Sequence, residues 1–168
     1  MKLKTEQTYG ILSGLLICVL VMVAHFMGYY TTKIDSGKFL GFCFLIIPIV
    51  FILIGIYVKK TKELGGYLDL KDGLKTGILI SFINGIITTI FLLIYFNYIN
   101  PDFYNLYITY ETKVLADLGK TPKEIDDLLD QFRSSQKIGA QLLSGILITP
   151  LFGMIPSLII TLILRKSR

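Results

Sequence analysis

Four stretches of this chain contain no Asp, Glu, Lys or Arg: residues 9–30, 39–58, 76–99 and 138–164, which are 22, 20, 24 and 27 residues long. A helix rises about 1.5 Å per residue, so roughly 20 apolar residues cross the hydrocarbon of a bilayer. Lipid offers no partners to backbone N–H and C=O groups, which leaves helices and closed barrels as the spanning structures. A barrel strand would be about half as long and would alternate residue by residue, a pattern missing from this chain. The expected fold is therefore all-α and integral to a membrane: a four-helix transmembrane bundle forming one domain over residues 1–168. Composition excludes the alternatives. At 17% charged and 53% hydrophobic, with a mean hydropathy of +0.65, the chain is neither disordered nor an ordinary soluble domain.

The first span could pass for a signal peptide, because Lys2 and Lys4 precede it. Its apolar run is too long for that role, and no small-x-small cleavage site follows around Ala24 to Gly28, so the span is read as retained. Orientation follows from counting Lys and Arg on alternate sides. The N-terminal tail, the loop after the second span and the C-terminal tail share one side and carry ten: Lys2, Lys4, Lys59, Lys60, Lys62, Lys71, Lys75, Arg165, Lys166 and Arg168. The other side carries seven, spread over a longer stretch, and eight of the twelve acids. Both termini should face the cytoplasm, and the net charge of +5 is a topology signal, with no nucleic-acid partner implied. Tyr9 and Tyr57 at the inner ends, with Tyr29, Tyr30, Tyr95 and Tyr98 at the outer ends, fit interfacial aromatic belts.

The loop after the second span turns at Gly65-Gly66, and Asp69 or Asp72 offers an N-cap for the third helix. The largest segment outside the spans is 100–137. Asn100-Pro101-Asp102 stops the third span. Phe103, Leu106, Tyr107, Tyr110, Val114 and Leu118 then recur at three and four, an amphipathic helix that Gly119 closes. Thr121-Pro122-Lys123-Glu124 supplies an N-cap, an N1 proline and a capping-box Glu for a second helix carrying Ile125, Leu128, Leu129 and Phe132 on one face. Residues 100–137 thus read as an extramembrane helical hairpin between spans three and four, continuous with the fourth. Its apolar stripe, represented by Tyr107, Leu128 and Phe132, packs on its own bundle or receives a partner.

No catalytic constellation emerges. The single histidine, His25, lies near the outer end of the first span, where it can hydrogen-bond to Tyr30, lipid or the loop. Cys18 and Cys43 sit at different depths in apolar segments, so no disulfide, metal site or cofactor is expected of them. The strongest intramembrane pattern is Gly73, Gly77, Ser81 and Gly85, one small residue per turn, with Asn84 and Thr88 on the flank. Small residues at this period let helix backbones approach closely, so this is a packing seam facing another helix of the chain or of a second copy. Gly10 and Gly14 form a weaker ridge in the first span. Asn84, a strongly polar amide well inside a span, should bond across helices. The fourth span carries Pro150, Gly153 and Pro156 within seven residues and should kink there, as should the second at Pro48.

Gly65-Gly66-Tyr67-Leu68-Asp69, Asp72-Gly73-Leu74-Lys75-Thr76-Gly77, the Gly- and Ser-rich third span and Tyr98-Ile99-Asn100-Pro101-Asp102-Phe103 together resemble the domain of unknown function 4199 family. That resemblance covers nearly the whole chain and implies a small four-span protein of a bacterial inner (cytoplasmic) membrane, with no activity to carry over. The leading expectation is a non-enzymatic envelope protein that assembles through glycine seams and presents the hairpin to an envelope protein partner. A homo-oligomeric pore or transport component built around the third span is the alternative. A membrane enzyme at the outer interface, relying on His25, Tyr29, Tyr30, Asn97 and Asn100, ranks third.

Overall fold

The computed structural model describes residues 3–166, so Lys2 and Arg168 of the basic count lie outside the described residues. Seven α-helices follow one another: α1 (Thr5–Phe26), α2 (Leu40–Val58), α3 (Leu70–Ile94), α4 (Phe103–Asp117), α5 (Pro122–Ser135), α6 (Ile138–Leu143) and α7 (Thr149–Leu164). Wide π-helical turns extend α2 through Lys59–Glu63 and α3 through Tyr95–Ile99, and a third at Ser144–Ile148 joins α6 to α7. Among the described residues there is no strand, though an isolated antiparallel bridge pairs Leu68 with Lys166. Four helical stretches, Thr5–Phe26, Asp35–Glu63, Leu70–Ile99 and Ile138–Leu164, are long and apolar enough to cross a membrane.

Three of these begin earlier than their charge-free runs, because their first turns contain charged residues; the second opens with a 3-10 turn at Asp35–Phe39. The first includes Glu6, whose carboxylate is buried against the Lys59 ammonium. The third includes Lys71, Asp72 and Lys75. Asp69 occupies the N-cap of α3 without a side-chain hydrogen bond to the helix. Gly28, with φ at 84°, ends α1 in a left-handed turn that residues with a Cβ rarely adopt. The hairpin is not continuous with the fourth span. α5 ends at Ser135, and Lys137 is extended at φ −60°, ψ 138° before α6 begins.

Burial is inverted relative to a water-soluble protein. Ser13, Thr76, Ser81, Asn84, Ser157 and Thr161 are among the most enclosed side chains, while Phe42, Leu45, Phe152, Ile155 and Ile163 are exposed. Four of these hydroxyls are satisfied locally. Thr76, Ser81, Ser157 and Thr161 each donate to the carbonyl one turn back in their own helix, which removes the cost of burying them.

α3 is the axis of the molecule. α7 runs antiparallel to it in strict register: Gly73 meets Thr161, Gly77 meets Ser157, Ser81 meets Gly153, and Gly85 meets Thr149 and the Gly145 carbonyl. A small residue on one helix faces a hydroxyl-bearing or small residue on the other at every turn. On another face of α3, α1 runs in the same direction, with Gly10 against Ile83 and Gly14 against Ile87. Ser13 reaches across there to donate to the Asn84 side-chain oxygen at 3.2 Å. The Gly73, Gly77, Ser81 and Gly85 seam therefore faces another helix of the same chain.

The approach is too close for a methyl group. A Cβ at Gly77 would lie 2.5 Å from the Ser157 Cβ. Gly77→Ala should part α3 from α7 and cost about 1–3 kcal/mol, as overpacking of a close-packed contact does. Adding Ser157→Gly should recover most of that loss, read as thermal unfolding in detergent by circular dichroism. A single variant as stable as wild type would show that the two helices do not meet at this register.

Candidate functional site

The residues most capable of specific contacts gather at the end of the molecule where α3 gives way to α4. Tyr95 sits in the π turn closing α3 and is fully buried (0% exposed), so it is not part of an interfacial belt. Its oxygen lies 2.9 Å from His25 Nδ1, and the Asn100 amide donates both to it at 3.2 Å and to the Tyr30 carbonyl at 3.0 Å. The partner of His25 is thus Tyr95, not Tyr30. A parallel α1/α3 pair places position 25 beside position 95, and the π turn swings the phenol inward.

From Tyr95 an aromatic chain leads into the hairpin. Phe96 stacks on Phe103 with ring centroids 4.9 Å apart, Phe103 on Tyr107 at 5.8 Å, and Tyr107 meets Phe132 of α5 at 4.8 Å. Tyr110 donates to the Asp35 carboxylate at 2.6 Å, tying α4 to the α1–α2 connection. Of the three proposed contact residues, Tyr107 and Phe132 are therefore packed against each other, because the apolar stripes of α4 and α5 close on themselves. Leu128 remains exposed. The α5 N-terminus forms the expected capping box: Thr121 Oγ1 accepts from the Glu124 N–H, and the Glu124 carboxylate accepts from the Thr121 N–H at 2.9 Å. That backbone donation, joined by the Thr121 hydroxyl and Lys120, holds the Glu124 carboxyl below its ordinary range. Burial pushes the Tyr104 phenol up, partly offset by a hydrogen bond from Gln141.

Beneath the hairpin lies a cleft of about 630 Å³. Asn84, Thr88 and Thr89 of α3 form one wall, Phe44 and Pro48 of α2 a second, and Ser144, Ile148 and Thr149 a third. Ser135, Gln136 and Gln141 border its hairpin end. Among the described residues no charged side chain lines it. The fourth long helix creates the room. Pro150 has no N–H, and ahead of it the ladder widens to a π turn in which the Thr149 N–H reaches the Ser144 carbonyl. α7 then continues through Gly153 and Pro156 to Leu164 as one helix. A second hollow of about 540 Å³ continues from the first between α2 and α7, sharing Phe44, Pro48, Ser144, Ile148 and Thr149.

The polar residues of the long helices thus divide. His25 belongs to the Tyr95 network, while Asn84 and Thr88 line the cleft. Gln136 and Gln141 were missed by sequence reading, since glutamines beside a loop carry no periodic signal. Cys18 and Cys43 are free thiols. Among the described residues no group of three His, Cys, Asp or Glu side chains converges to hold a metal ion.

Two outcomes follow. Tyr95→Phe strips His25 and Asn100 of a shared partner in a buried setting and should destabilise the protein by about 1–3 kcal/mol, measured by thermal unfolding. No change would mean the network adds nothing to stability. For Glu124, a folded-state pKa below the unfolded one means the stabilisation is present above the unfolded value and is lost as pH falls through the folded one. Amide exchange in the first turn of α5 should accelerate there in wild type beyond its intrinsic pH dependence. In Glu124→Gln, which keeps an acceptor but cannot titrate, that extra acceleration should be absent.

A family model described as protein of unknown function (DUF4199) matches residues 8–166, nearly the whole chain, and the chain belongs to that family. No curated protein and no solved structure matches it.

Proposed function

We propose that this member of the DUF4199 family is a non-enzymatic multi-pass protein of a bacterial inner membrane. Both termini lie in the cytoplasm, and the α4–α5 hairpin is a fixed extracytoplasmic platform for another envelope protein. The inverted burial supports the membrane setting. Large apolar side chains such as Phe42, Phe152 and Ile163 point outward along helices long enough to span, a surface that water would penalise and lipid would not.

The observation that carries the platform reading is the aromatic chain from Tyr95 to Phe132. It ties the hairpin to α3, while Leu118 and Leu128 stay exposed, as do Asp126 and Asp127 of the same hairpin. A mount whose exposed surface is both apolar and acidic suits an apolar segment flanked by Lys or Arg. The pore reading has less to stand on, because the small-residue face of α3 is filled by α7 of the same chain.

Orientation is checked with a membrane-impermeant maleimide in a Cys18→Ala, Cys43→Ala background. Ala116→Cys should label in intact spheroplasts, and Lys62→Cys only after permeabilisation. The reverse pattern overturns the orientation. A photo-crosslinker at Leu128 should then yield a discrete heavier adduct with a different protein in cells, and the same group at Phe132, which faces Tyr107, should not. Adducts with a second copy alone, or none, would remove the platform.

A further inference from the structure

The cleft has a floor that apolar packing does not explain. Asn84 is 3% exposed and lies near the midpoint of the 70–99 helix. The oxygen of its amide accepts from Ser13; the amide nitrogen makes no hydrogen bond among the described residues, and the residue lines the cleft. One turn on, Thr88 lines the same wall, and its buried hydroxyl also has no partner. A threonine in a helix ordinarily satisfies itself on the carbonyl one turn back, as Thr76 and Thr161 do here. Two neighbouring donors without acceptors at that depth are costly unless something brings an oxygen to them.

The surroundings limit what that can be. With no charged residue in either hollow among the described residues, an anionic or cationic head would enter without a counter-charge. The cleft is flanked by Phe44 and Phe96 and leads into a single apolar groove that runs between α2 and α7 to Pro156. That groove is open at its side, where Leu45, Phe152 and Ile155 are exposed. We propose that the cleft binds an uncharged, single-tailed amphiphile with a flat carbonyl-bearing head, the chemistry of an isoprenoid quinone. Its head oxygen accepts from the Asn84 amide and the Thr88 hydroxyl, and its tail lies in the α2/α7 groove. No redox step is invoked. The site rests on the membrane location alone and is independent of any partner of the hairpin, and the maleimide labelling tests the orientation separately.

The test uses the full chain, purified in detergent and stripped of bound lipid, titrated by native mass spectrometry and thermal shift. The probes are a short-tailed menaquinone, dioleoylglycerol and dioleoylphosphatidylglycerol. The menaquinone should bind saturably at one per chain and raise the unfolding temperature, with the other two binding weakly and without saturation. Asn84→Leu should weaken menaquinone binding by about tenfold or more, the scale of one lost hydrogen bond in a desolvated site. Thr88→Val, which removes a hydroxyl with no protein partner and so keeps the fold, should weaken it about three- to tenfold. Ser13→Ala, which touches the amide only from the far side, should bind as wild type does. Equal, unsaturable binding of all three amphiphiles would show a groove filled by bulk lipid only. Preference for the two-tailed neutral lipid, or full affinity in both Asn84→Leu and Thr88→Val, would equally overturn the proposal.

Discussion

Everything in this structure hangs on how closely α3 and α7 approach. Helices whose outward surfaces are as apolar as their inward ones cannot be sorted by hydrophobic burial, so shape and backbone proximity must do the sorting. Here the means is an alternating ladder, glycine against hydroxyl, turn after turn from Gly73 and Thr161 to Gly85 and Thr149. The hydroxyls bond back to their own helices, so the interface needs no polar group from the partner, only an absence of bulk. With α3 pinned on that side, its other faces are free for α1 and for the cleft. On one of those faces the parallel α1 brings His25 to Tyr95.

That ladder also shows what was legible beforehand and what was not. The four-residue period of Gly73, Gly77, Ser81 and Gly85 is plain in the chain, but a period names a face and not its occupant. Its mate was written just as plainly as Gly145, Thr149, Gly153, Ser157 and Thr161, at the same spacing in the fourth span. Pro150 and Pro156 drew the reading toward a kink and hid it. Capping chemistry was more transparent: the Thr121–Glu124 box and the left-handed Gly119 stand where local rules put them. The cleft was not legible. It arises from a change of ladder type ahead of Pro150, and π turns leave no reliable signature in a single sequence.

The hairpin illustrates a related ambiguity. An amphipathic helix advertises an apolar stripe without saying whether a sibling helix will cover it. Tyr107 and Phe132 belong to stripes that could pack on the bundle or receive a partner, and they face each other, since two short helices joined by the tight turn at Gly119 meet stripe to stripe. Leu128, one turn before Phe132 on the same helix, still keeps its side chain exposed.

The cluster at the opposite end of the molecule has a consequence for how such a chain comes to be oriented at all. Lys59 sits between the Glu6 and Glu63 carboxylates, and Lys60 donates to the last carbonyl of the fourth span at 2.8 Å. In the finished fold, then, two of the three lysines in the 59–62 cluster are neutralised or engaged. If charge asymmetry directs insertion, it does so while α1 and α2 are still separate and these lysines are unpaired. The same side chains would serve first as a transient address during biogenesis and afterwards as mortar, so that reaching the native state erases the signal that guided the chain there.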